Sequence, residues 1–93
     1  MRTQRVTLTD GSPAVIESDG MTVWVNGAGN CIARFGLAGI DIHKPFEEQR
    51  TGGECLYCTH ALTKQEDWET FKTKMRELYG VSVTDKFKPF RFV

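Results

Sequence analysis

The chain of 93 residues, with a mass of 10.5 kDa, has the size of one small domain, so we expect a single domain over residues 1–93. Hydrophobic residues form 40% of the sequence and charged residues 26%, which excludes intrinsic disorder, and twelve bases balance twelve acids, which excludes a general charge attraction to nucleic acids or membranes. The sequence has no apolar run of about 18 residues for a membrane span and no apolar signal segment at its start, so we expect a cytoplasmic protein.

Residues 1–43 predict about five short antiparallel strands. Apolar and polar side chains alternate within each run, and turn-forming residues separate the runs. The Asp-Gly pair at 19–20 lies between two apolar runs and is a strong hairpin signal. In the third strand, Met21, Val23 and Val25 share the face that we assign to the core, whereas Trp24 points the other way. The predicted strands are 5–9, 14–18, 21–26, 31–35 and 40–43.

Residues 44–54 predict a surface loop, and an amphipathic helix is predicted at 64–79. Thr63 is its expected N-cap, with Glu66 completing a capping box, and Gly80 is expected to end it. A stripe of apolar side chains at spacings of three and four would pack on the sheet: Trp68, Phe71, Met75, Leu78 and Tyr79. The predicted fold class is therefore α+β, an antiparallel meander of about five strands followed by one C-terminal amphipathic helix packed on the sheet.

The C-terminal residues allow two interpretations. Residues 81–84 alternate and are expected to return as an edge strand, and residues 86–93 are basic and aromatic. Aromatic residues at a chain end usually close a small core, with the basic groups reaching outward. The alternative is binding of single-stranded nucleic acid, because residues 64–93 carry seven bases and five acids, whereas residues 1–63 carry five bases and seven acids.

One cluster predicts a metal site. Cys55 and Cys58 have the two-residue gap of a zinc knuckle, His60 follows directly, and His43 lies eleven residues before Cys55. These four side chains would complete a tetrahedral set without an open position, which is typical of a structural zinc rather than a catalytic one. Such a zinc would fasten the 44–54 loop and the start of the helix to the sheet.

Other uses of the same residues remain open. An odd number of cysteines in a cytosolic protein argues against a disulfide framework, and buried thiols with ordinary histidines are the plainer interpretation. A thiol oxidoreductase at Cys55 and Cys58 is a further alternative, because a cysteine pair just ahead of a helix has a lowered thiol pKa. Cys31 is either a substitute ligand or a buried thiol.

No complete catalytic set is evident in the sequence. A phosphate-binding loop, a nucleophile elbow and a dinucleotide-binding fingerprint are all missing. Asp41 and His43, two apart on a strand, would share a face and would act as a base with its orienting group only beside a nucleophile, so a solvated polar face is the plainer interpretation. We therefore predict a non-enzymatic binding module. Its candidate partner-binding residues are Trp24, Arg34, Lys86, Lys88 and Arg91.

The chain resembles small uncharacterised bacteriophage and prophage proteins over about residues 31–93. The resemblance rests on the segments 34–36, Gly-Ile-Asp-Ile-His at 39–43, Cys-x-x-Cys-Thr-His at 55–60, and Asp67-Trp68. It implies a biological setting and no catalytic residues. A phage accessory protein of this size is expected to bind a host protein in the host cytoplasm and to inhibit or redirect it.

Overall fold

The computed structural model describes residues 2–27, 30–44 and 54–89. They form one six-stranded antiparallel sheet whose strands are neighbours in chain order, followed by an α-helix and a short 3-10 helix. The predicted α+β class and the meander are confirmed, with one strand more than predicted. The elements are β1 (Arg2–Thr7), β2 (Pro13–Ser18), β3 (Val23–Gly27), β4 (Asn30–Gly36), β5 (Gly39–His43), β6 (Cys55–Thr59), α1 (Gln65–Tyr79) and the 3-10 helix Asp85–Phe87.

The predicted hairpin at 19–20 joins β2 to β3. The Asp19 carboxylate accepts hydrogen bonds from the main-chain N–H groups of Met21 and Thr22, at 2.9 and 2.8 Å. Gly20 has a φ of 93°, a left-handed conformation that glycine adopts without strain. These local interactions set the register that pairs Val23 with Ser18.

One face of the sheet packs against α1 and forms the core. Phe35 of β4 is fully buried, and its ring centroid lies 5.2 Å from that of Trp68 and 5.5 Å from that of Phe71. Such aromatic contacts add to the free energy gained from burying the rings. The strand residues buried with them include Ile16, Val23, Val25, Ile40 and Ile42.

The start of α1 differs from the prediction. Thr63 is not the N-cap: its side chain is buried, and its hydroxyl donates to the carbonyl oxygens of Gly36 and Leu37, at 3.0 and 3.2 Å. The cap position is Lys64, whose main-chain N–H donates to the Asp67 carboxylate at 2.7 Å. The threonine therefore fastens the helix start to the β4–β5 turn.

Two apolar side chains assigned to the core are exposed. Met21 is 48% exposed because the turn at 19–22 carries it away from the sheet, and β3 begins at Val23. Leu78 is 37% exposed, whereas the rest of the predicted helix stripe is buried. The helix ends at Gly80, which has a φ of 69° as predicted.

The segment after the helix closes the core without forming a strand. Residues 81–84 form no strand of the sheet, so the predicted edge strand is wrong, although Val81 and Val83 are buried. Phe87 is 1% exposed, in agreement with core closure. Arg91 and the phenylalanines at 90 and 92 lie outside the described residues. Within the described ranges, the helices are too short and too polar to cross a membrane.

Candidate functional site

The face of the sheet opposite α1, which we call the helix-free face, carries most of the candidate site residues. Residues directly opposite each other on adjacent strands share a face. The pairings Glu17–Trp24, Trp24–Arg34, Arg34–Asp41 and Asp41–Cys58 therefore place five side chains in a line across β2 to β6. We call this line the cross-strand row. None of its members is buried in the core.

A β-bulge places both cysteines of the predicted site on this face. Positions three apart in a regular strand point to opposite sides. In the β5–β6 pairing, however, Cys58 is opposite Asp41 and Cys55 is opposite His43, and the register shifts between Ile42 and His43. One extra residue on β6 absorbs the odd spacing.

His43, Cys55 and Cys58 come together at this bulge. Nε2 of His43 lies 4.0 Å from Sγ of Cys58, and one donor atom from each of the three residues lies within 4.8 Å of the others. The group can hold a metal ion. It connects His43, the last residue of β5, to Cys55 and Cys58, which lie on either side of the bulge in β6.

The two cysteine sulfurs are bonded to each other in this structure. Cys55 and Cys58 form a disulfide across a sequence separation of three, which corrects the expectation that these thiols stay unpaired. The two sulfurs can bond because the bulge places both cysteine side chains on the same face of the sheet. The loop that it closes is short, so by loop-closure entropy the bond stabilises the fold by about 2 kcal/mol, less than a bond that closes a long loop.

His60 lies on the helix-free face but not in the three-residue group. Its Nε2 is 2.9 Å from the Asp41 carboxylate, and its side chain is 75% exposed. Arg34 donates to the other oxygen of Asp41 at 2.8 Å. Burial raises the pKa of Asp41, but the hydrogen bonds from His60 and Arg34 outweigh it and hold the pKa below its ordinary value.

This arrangement divides the histidines differently from the prediction. The predicted set of four ligands becomes a group of three, and Asp41 orients His60 rather than His43. His60 follows directly after β6, and the pairing of Cys58 with Asp41 brings its side chain to the Asp41 carboxylate. Because residues 55–59 were assigned to no strand, the contact between Asp41 and His60 could not be predicted from the sequence.

Trp24 and Arg34 flank two depressions on the helix-free face. One, of ≈ 320 Å³, is also lined by Cys31, Asp41 and His43. The other, of ≈ 300 Å³, lies toward the β4–β5 turn at residues 36–39. Cys31 is exposed, so the alternative of a buried thiol is wrong, although partial desolvation still raises the pKa of its thiol. Cys31 is not part of the disulfide or of the three-residue group.

Lys86 and Lys88 lie apart from this face. They flank Phe87, which is buried in the core beneath α1, and Nζ of Lys86 lies 5.3 Å from the Phe87 ring centroid. The Ser18 hydroxyl donates to the main-chain carbonyl of Phe87 at 3.3 Å, which fixes this segment to the end of β2. The four candidate partner-binding residues that the structure describes therefore fall on two separate surfaces.

The environment of the cysteines also differs from that of the oxidoreductase alternative. Cys55 and Cys58 belong to an edge strand, and α1 begins only at Gln65. Among the residues that the structure describes, no helix begins next to Cys55 to stabilise a thiolate there. The helix start is connected to the sheet without a metal, because the Thr63 hydroxyl donates to the β4–β5 turn.

Comparison of the chain with protein-family models, with curated proteins and with solved structures finds no match.

Proposed function

We propose that the protein is a non-enzymatic binding module that docks a protein partner on its helix-free face. The observation that carries the proposal is the position of Trp24 and Arg34, which are directly opposed on β3 and β4 and together form a wall of both depressions. Tryptophan and arginine are the side chains that most often carry binding energy in protein interfaces. A partner side chain in either depression would remove the Trp24 ring from water.

The charges on this face favour a protein over a nucleic acid. Arg34 is 55% exposed, but it already pairs with Asp41, and Glu17 lies in the same row. Carboxylates beside the only basic member of the row would repel a phosphate backbone. A protein segment can instead offer main-chain carbonyls to the outward N–H groups of Arg34. The resemblance to bacteriophage proteins makes a protein of the bacterial host our proposed partner.

The second part of the proposal is that the metal held by His43, Cys55 and Cys58 is zinc, bound when the cysteines are reduced. Two thiolates and one imidazole are ligands that zinc prefers. The ion would join β5 to β6 beside the cross-strand row and so act as a structural staple. Within the described residues the group has these three ligands, because His60 is held by Asp41.

Capture from bacterial lysate with matched variants tests the docking surface. Leu78→Ala is the control, because Leu78 is an exposed apolar side chain of α1, on the other side of the sheet. We expect a host protein captured by the wild type and by Leu78→Ala to be lost with Trp24→Ala. With the purified partner, calorimetry should then show Kd raised about 30-fold, equivalent to about 2 kcal/mol.

Equal capture by the wild type and by Trp24→Ala would contradict the docking proposal. Fluorescence anisotropy with single-stranded and duplex oligonucleotides at low salt tests the nucleic-acid alternative. Binding that weakens in a Lys86→Ala, Lys88→Ala double variant would favour that alternative.

Thermal melts of the reduced protein, with and without a chelator, test the zinc staple. Because an ion that binds only the folded state stabilises it by mass action, the chelator should lower Tm in the wild type and not in Cys58→Ser. His60→Gln should respond like the wild type. An unchanged wild-type Tm would contradict the staple.

A further inference from the structure

The sulfurs of Cys55 and Cys58 have two competing uses in this fold. In the structure they form a disulfide, which leaves no thiolate for a metal. The same sulfurs belong to the three-residue group whose donor atoms lie within 4.8 Å of one another. A disulfide and a metal therefore exclude each other here, and the oxidation state of the pair decides which is present.

The geometry requires little movement between the two states. With Zn–S distances of about 2.3 Å and Zn–N distances of about 2.0 Å, donor atoms of a tetrahedral site lie about 3.5–3.8 Å apart. Nε2 of His43 is already 4.0 Å from Sγ of Cys58. Once the sulfur–sulfur bond is broken, side-chain rotations at Cys55 and Cys58 can open the sulfurs to this spacing. The backbone of β5 and β6 can keep its register.

The site is also accessible to redox reagents. Cys55 is exposed, and β6 is the last strand of the sheet within the described residues. Disulfide exchange requires that an incoming thiolate reach one sulfur in line with the bond, which an exposed edge strand allows. Cys31, the third cysteine, does not belong to the group and is not needed for either state.

We propose that Cys55 and Cys58 form a redox switch for zinc, with His43 as the constant third ligand, so that the reduced protein binds the ion and the oxidised protein releases it. This inference rests on the zinc site of the proposed function. Because Cys58 is opposite Asp41 in the cross-strand row, the switch lies within the proposed docking surface.

A dithiol drives the reduction of the disulfide, and a hydroperoxide drives the oxidation of the thiolates. A dithiol attacks the disulfide through a mixed disulfide, its own sulfurs become a disulfide, and Cys55 and Cys58 become thiols. Zn²⁺ then replaces the two thiol protons. In the reverse direction a hydroperoxide such as hydrogen peroxide takes two electrons from the thiolates: its O–O bond breaks, two protons are taken up to give two waters, the sulfur–sulfur bond forms and aqueous Zn²⁺ leaves.

The test uses the 93-residue chain, reduced with a dithiol under nitrogen, freed of reductant and given one equivalent of Zn²⁺. A chromophoric zinc indicator measures free zinc, and a thiol reagent counts thiols. The first step is uptake, which we expect at one zinc per chain in the wild type and in the matched control Cys31→Ser. His43→Gln should weaken uptake by more than about 100-fold, beyond the effect of losing an outer-shell partner.

The second step is addition of hydrogen peroxide to the zinc-loaded protein. We expect one zinc released for every two thiols lost, and full rebinding after a dithiol is added, in both the wild type and Cys31→Ser. Failure of the first step would overturn the zinc site itself. Uptake followed by zinc retention after Cys55 and Cys58 are oxidised, or release that a dithiol does not reverse, would overturn the switch alone.

Discussion

The hydroxyl of Tyr79, the last residue of α1, donates a hydrogen bond to the main-chain carbonyl of His43, the last residue of β5. The bond connects the C-terminal end of the helix to the strand residue that carries the imidazole of the candidate site. Burial raises the pKa of Tyr79, so its hydroxyl keeps its proton through neutral pH. The core thereby positions the backbone of a residue whose side chain acts on the opposite face of the sheet.

Tyr79→Phe tests this connection, because it removes the hydroxyl and keeps the ring. We expect the free energy of unfolding to fall by about 1 kcal/mol, the usual net value of a hydrogen bond. Tyr57→Phe is the control: Tyr57 is partly buried, and the ring under Lys74 is retained, so the loss should be smaller. Urea denaturation of both variants measures the difference, and equal losses would contradict the assigned role.

Gly39→Ala should be one of the most destabilising alanine substitutions in the sheet. Gly39 has a φ of +147°, and an added Cβ would collide with the main-chain carbonyl oxygen of Thr59 across the β5–β6 pair. We expect a loss of about 2–4 kcal/mol, because neither backbone can move without breaking the pairing. Gly11→Ala has a positive φ but open space, and should lose about 1 kcal/mol. Similar values for the two in chemical denaturation would contradict the β5–β6 packing.

We expect the Asp85 carboxylate to stabilise the fold at neutral pH and to lose this effect in acid. Hydrogen bonds from Lys72, at 2.8 Å, and from Trp68, at 3.0 Å, hold the pKa of its carboxyl below the ordinary value. A carboxyl with a lowered pKa in the folded state stabilises the fold above its unfolded pKa, near 3.8, and this stabilisation is lost as pH falls through the folded pKa. Asp85→Asn should therefore be less stable than the wild type at pH 7.

The difference between Asp85→Asn and the wild type should shrink as the pH falls below 4 and vanish once the wild-type carboxyl is protonated. Urea melts followed by tryptophan fluorescence at several pH values measure it. A difference that is constant with pH would mean that the carboxyl charge is not what stabilises the contact.

Local signals explain the parts of the fold that the sequence predicted. The Asp-Gly pair at 19–20 carries its own turn geometry, and the spacing of Trp68, Phe71 and Met75 defines a helix face without reference to the rest of the chain. Gly80 marks the helix end for the same reason. The N-cap was misassigned because the Thr63 hydroxyl has a tertiary partner at the β4–β5 turn, which a local motif cannot reveal.

The candidate site was predicted in part because its residues are rare and close together in the chain. Grouping them by chain position assigned His60 to the metal, whereas in the structure its imidazole contacts the Asp41 carboxylate. Strand β6 escaped prediction because its five residues, Cys-Leu-Tyr-Cys-Thr, contain a bulge and so lack regular alternation. The spacing of the cysteines held one usable clue, since two positions three apart on a strand share a face only with a bulge.

Native mass spectrometry of the chain, purified from bacterial cytoplasm under nitrogen, tests the central claim about His43, Cys55 and Cys58 most directly. The method separates the disulfide form, which is lighter by two hydrogens, from the dithiol and from the zinc-bound chain. The account predicts one zinc on the reduced chain and, after mild oxidation, a metal-free chain lighter by two hydrogens. A reduced chain that binds no zinc, or zinc bound to the disulfide form, would contradict it.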